Sequence, residues 1–80
     1  MDDSVTLVFH GRLDPASFAA FARHRAGRLA LRHVFGAVEP DRVEVTVSGA
    51  ADLIDAFEVA CSLGPLDCVV LDIRRGGWPR

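Results

Sequence analysis

The sequence predicts an α+β domain: a four-stranded antiparallel sheet with two helices on one face. Three observations carry this. The elements follow the order strand, helix, strand, strand, helix, strand along 80 residues. Each helical segment has an apolar stripe on one side only, so each covers a single surface. Residues 42–48 alternate Val43, Val45 and Val47 with Arg42, Glu44 and Thr46, the mark of a strand with one buried and one wet face. This order is the split βαβ, or ferredoxin-like, two-layer pattern.

The elements are read as follows. Residues 4–10 form a strand, with Val5, Leu7 and Phe9 on one face. Asp14-Pro15 supplies an N-cap followed by proline at the first helical position. The first helix is expected to run to about Leu31, with Phe18, Phe21, Ala22, Ala26 and Leu29 on its stripe. Residues 32–39 form a weaker strand, broken by Gly36, and Pro40-Asp41 turns the chain into residues 42–48. Ser48-Gly49 opens the second helix, about residues 50–63, whose stripe is Leu53, Ile54, Phe57, Ala60 and Cys61. Gly64-Pro65 stops it. Residues 66–74 form the last strand and residues 75–80 a short tail. The whole chain, 1–80, is one domain.

Half of the residues are hydrophobic and the formal net charge is −2. That charge is too small to point to nucleic acid or an anionic membrane surface. No apolar run approaches the roughly 20 residues of a membrane helix. The start is acidic where a secretory leader is basic, so a cytoplasmic location is expected. All nine basic residues are arginine; with the abundant alanine this suggests a GC-rich, bacterial genome. His10, His24 and His33 match no metal-ligand spacing, so no metal or other cofactor is expected. Cys61 lies on an apolar stripe and reads as core, whereas Cys68 is expected to face outward.

Val8-Phe9-His10-Gly11-Arg12-Leu13, then Phe18 and Phe21-Ala22-Arg23-His24-Arg25-Ala26, then Arg42-Val43-Glu44-Val45, and finally Asp55-Ala56-Phe57 with Leu63-Gly64-Pro65, together resemble the acylphosphatase family over nearly the whole chain. The resemblance implies a phosphate loop between the first strand and first helix. It also implies an arginine that clamps phosphate and an asparagine that orients the attacking water. Those two positions fall on Ala19 and Ala37, and the family's Q-G-V-G run corresponds to Asp14-Pro15-Ala16-Ser17. Alanine offers phosphate nothing, Asp14 brings a negative charge, and Pro15 removes a donor. Losing clamp and orienter together is worth on the order of 5–8 kcal/mol of transition-state stabilisation.

The expected function is therefore that of a non-catalytic acylphosphatase-like module binding a protein or a small anion. Gly11, Arg12 and Ser17 are the anion-binding candidates. The competing reading is a residual acylphosphatase with Arg12 as substitute clamp; a third is a regulatory ligand-binding domain. The family also ends in a further strand, for which this sequence stops too soon. Residues 68–73 are apolar on both faces, so the last strand is expected to form a homodimer or partner-binding edge through Cys68, Val70 and Trp78.

Overall fold

Alternation builds the sheet. β1 (Asp3–Arg12) and β3 (Arg42–Gly49) pair antiparallel from Asp3↔Gly49 to His10↔Arg42, which sets Leu7 beside Val45 and Phe9 beside Val43. These four and Val47 are fully buried. The other face is polar: Thr6 and Thr46 share a 2.8 Å hydroxyl hydrogen bond, and Ser48 Oγ donates to Ser4 Oγ at 3.2 Å. β2 (Arg32–Glu39) joins β3, and β4 (Val69–Gly77) joins β1, giving the order β2-β3-β1-β4. This computed structural model describes residues 3–77.

α1 (Pro15–Arg28) and α2 (Ala51–Leu63) cover the apolar face. Phe18, Ala22 and Ala26 from α1 and Ile54, Phe57 and Cys61 from α2 join the sheet's valines in one core. The small side chains at Ala22 and Ala26 let α1 lie close to the sheet, while Phe18 sets its ring 5.1 Å from that of Phe9. Phe21, Leu29 and Leu53 are half-buried flanks of that core. The expected ferredoxin-like architecture is the observed one.

Several boundaries differ from the sequence reading. α1 stops at Arg28, short of Leu31. There Leu31 N donates to Ala26 O at 2.9 Å and Ala30 N to Gly27 O at 3.2 Å, the Schellman pattern, with Ala30 left-handed at φ 57°. A left-handed residue usually means glycine, because the Cβ of any other residue costs roughly 1–2 kcal/mol there. Ala30→Gly is therefore expected to stabilise the fold by about 1 kcal/mol, visible as a higher urea midpoint at unchanged slope. The second helix begins after Ala50, which has no side-chain cap, because Ser48 and Gly49 belong to β3. β4 begins at Val69, since Leu66 and Asp67 form a turn closed by Cys68 N on Pro65 O at 3.0 Å. It continues through Gly77, so Arg75 and the two glycines after it are strand, where a tail was expected.

Candidate functional site

The acylphosphatase resemblance implies a phosphate loop at the turn between β1 and α1, at the N-terminus of a helix. Its shape comes from three neighbours. β1 ends against the β2–β3 turn: Gly11 N donates to Asp41 O at 3.2 Å and Leu13 N to Pro40 O at 2.7 Å. Asp14 then caps α1, its Oδ1 accepting from Ser17 N at 3.0 Å while its carbonyl accepts from Phe18 N at 2.8 Å. From the far side, the α2–β4 turn brings in Asp67, whose Oδ1 accepts from Ser17 Oγ at 2.9 Å, and Cys68, whose Sγ accepts from Asp14 N at 3.3 Å.

The chemical result is a filled cradle. The amides of Gly11, Leu13, Asp14, Ser17 and Phe18 all donate within the chain, and Pro15 has none to give. Two carboxylates, Asp14 and Asp67, meet at the start of α1, where the helix dipole favours negative charge. The chain has thus placed its own anions where an external one would bind. A phosphate would have to displace them and face their repulsion.

Each residue singled out from the sequence has a definite place. The amide of Gly11 serves the β2–β3 turn, and both the amide and the hydroxyl of Ser17 serve carboxylates. Arg12 is exposed at the end of β1, opposite Val69, and its side chain makes no hydrogen bond or ion pair among the described residues. Ala19 is buried on α1. Ala37 sits in a β-bulge, where Gly36 and Ala37 together face Glu44. Asp67 carried no sign of its role in the sequence, because its contact to Ser17 spans 50 residues.

Of the edge candidates, Cys68 needs correction. Cys68 faces inward and is buried, because the turn at Leu66 and Asp67 brings it beneath Asp14 before β4 begins. Val70 packs against the core, whereas its neighbours Val69 and Leu71 are exposed. Trp78 lies outside the described residues. The histidines are scattered, His10 on β1, His24 on α1 and His33 on β2, the last edge-on to Phe35 at 5.6 Å. Among the described residues no three histidine, cysteine or acidic side chains are grouped to hold a metal.

Both cysteines are free thiols. Burial pushes the Cys61 thiol up to about 12, against the opposing charge of Arg25. Burial also raises Cys68, and the Asp67 carboxylate adds to this while the Asp14 amide opposes it. A raised thiol pKa leaves little thiolate, so neither cysteine is a nucleophile near neutrality. An aromatic disulfide reagent at mildly alkaline pH is expected to label both only as fast as the chain unfolds, and at once in denaturant. Because unfolded Cys61 ionises near 9.0 and folded Cys61 only near 12, its contribution to stability is complete below that window and is lost as pH rises through it.

No protein-family model and no curated protein matches the sequence. Solved structures do match. The fold is similar to the acylphosphatase from Bacillus subtilis, with a TM-score of 0.84 at 22% identity over 95% of this chain and 83% of that one. It is similar to an acylphosphatase from Coxiella burnetii, with a TM-score of 0.86 at 18% identity over 98% of this chain and 82% of that one. It is also similar to part of full-length HypF in a phosphate- and nucleotide-bound form, with a TM-score of 0.85 at 16% identity over 98% of this chain but 10% of HypF. At such identities the likeness is one of fold. No helix among the described residues is long and apolar enough to cross a membrane.

Proposed function

We propose that this chain is a non-catalytic acylphosphatase-like domain that acts by binding. The observation that carries the reading is the occupied turn between β1 and α1, with the amides of Gly11, Leu13, Asp14, Ser17 and Phe18 engaged and Asp14 and Asp67 at the helix start. By the resemblance, the clamp and orienter positions are the methyl groups of Ala19 and Ala37, which neither hold a phosphate nor position a water. Val59 and Leu63 on α2, Leu66 in the turn after it, and Val69 and Leu71 on β4 are large apolar side chains left exposed. Exposed apolar side chains suit a protein better than a small anion as the ligand.

One observation favours a second reading. Arg12 stands exposed beside the turn with no side-chain partner among the described residues, so it is able to reach a phosphate as a substitute clamp. An acyl-phosphate hydrolysis assay separates the two. The binding reading expects the uncatalysed rate, for the natural chain and for Arg12→Ala alike. Turnover that disappears in Arg12→Ala would establish the residual enzyme.

A further inference from the structure

We infer that β4 is a self-association edge at which two copies of this chain pair antiparallel about a two-fold axis at Ile73, joining their sheets into one. The inference does not depend on whether hydrolysis remains. β4 ends the sheet, and among the described residues it pairs with β1 alone. Among the described residues its outer side therefore presents a row of open backbone groups. Edge strands are usually blunted by charged side chains, proline, bulges or a covering segment; β4 has no proline, Val69 and Leu71 are exposed on it, and its charges are of both signs, Asp72 beside Arg74 and Arg75, so they repel a second copy only where like meets like.

Charge selects the partner and the register. Asp72 and Arg74 lie opposite His10 and Val8, in alternation with Ile73 opposite the buried Phe9, so both side chains sit on the sheet face away from the helices. Within one chain Arg74 Nε donates to Asp72 Oδ2 at 3.0 Å, and both are well exposed, at 76% and 52%. When two copies of β4 pair antiparallel, opposed side chains share a face, and like charges directly opposed are destabilising. An axis at Asp72 would set Asp72 against its own copy. An axis at Arg74 would set two arginines together. An axis at Ile73 sets Asp72 of each copy against Arg74 of the other, so the two intrachain pairs become one row of four alternating charges. The bulge at Leu71 interrupts the strand N-terminal to Asp72, so the register is defined by the stretch Asp72-Ile73-Arg74.

Charge reversal tests both the association and the register. Asp72→Arg and Arg74→Asp change exposed positions, and circular dichroism verifies that each variant is folded. In sedimentation, the natural chain is expected to form a dimer at micromolar concentration. Each variant alone opposes like charges at both contacts and is expected to associate about tenfold more weakly, or less still. Mixed in equal amounts, the two variants oppose only unlike charges and are expected to recover dimer, as a heterodimer visible by native mass spectrometry. A natural chain that stays monomeric into the millimolar range would overturn the inference. So would single variants that dimerise as well as the natural chain, or a mixture that associates no better than its components.

Discussion

Gly11→Ala is expected to lower the melting temperature of the protein sharply. The added Cβ would overlap the carbonyl oxygen of Val69 and stand 3.0 Å from the amide nitrogen of Leu71. Both neighbours are backbone, so no side-chain rotation relieves the overlap. β4 is held there by its register: His10 pairs with Asp72 and Gly11 with Val70, which leaves Leu71 as the extra residue of a bulge. The bulge brings the two backbones together, and only glycine fits such an approach. Strain of this kind costs about 2–4 kcal/mol. For a domain of this size each kcal/mol lowers the melting temperature by roughly 4–8 °C. A melting curve that superimposes on that of the natural chain would mean that β4 can shift without cost. Gly36→Ala is the control. Its Cβ would meet the tip of the Glu44 side chain, which can rotate aside, so a much smaller loss is expected.

Phe18→Ala is expected to cost about as much by the opposite route. Phe18 is fully buried where α1 begins, with its ring tilted at 57° to that of Phe9, also fully buried. Truncation removes the ring and leaves a cavity between helix and sheet. Phenylalanine-to-alanine changes in cores cost about 3–5 kcal/mol. A domain of 80 residues has roughly 4–12 kcal/mol of total stability, so such a loss approaches the whole of it. Phe18→Leu, which keeps most of the volume, is expected to lie well above Phe18→Ala in a urea titration. Equal midpoints for the two would show that the site collapses around alanine.

The sheet and helices were legible because their sequences satisfy a local rule and a global one together. The valines of β3 alternate and are all buried, and Asp14-Pro15 caps α1 as its sequence suggests. The failures come from non-local or unmarked causes. Ala30 takes a glycine's conformation, so nothing in its identity announced the end of α1. Residues 68–73 are apolar on both faces, and alternation alone therefore leaves their register open. The turn at Leu66 and Asp67 sets it, starting β4 at Val69 and turning Cys68 inward. In the candidate site, the capping role of Asp14 was readable because its partner is three residues away. The ties from Asp67 to Ser17 and from Cys68 to Asp14 span 50 and 54 residues and left no trace in either segment.

The central claim is that the β1–α1 turn is filled by the chain's own groups and does not accept a phosphate. Amide NMR during a titration with inorganic phosphate at constant ionic strength tests this most directly. The amides of Gly11, Leu13, Asp14, Ser17 and Phe18 each have an acceptor within the chain. They are predicted to show no saturable shift into the millimolar range. Saturable shifts concentrated in residues 11–19 would contradict the account, because they would mean that phosphate displaces the Asp14 cap and the Asp67 contact and occupies the turn.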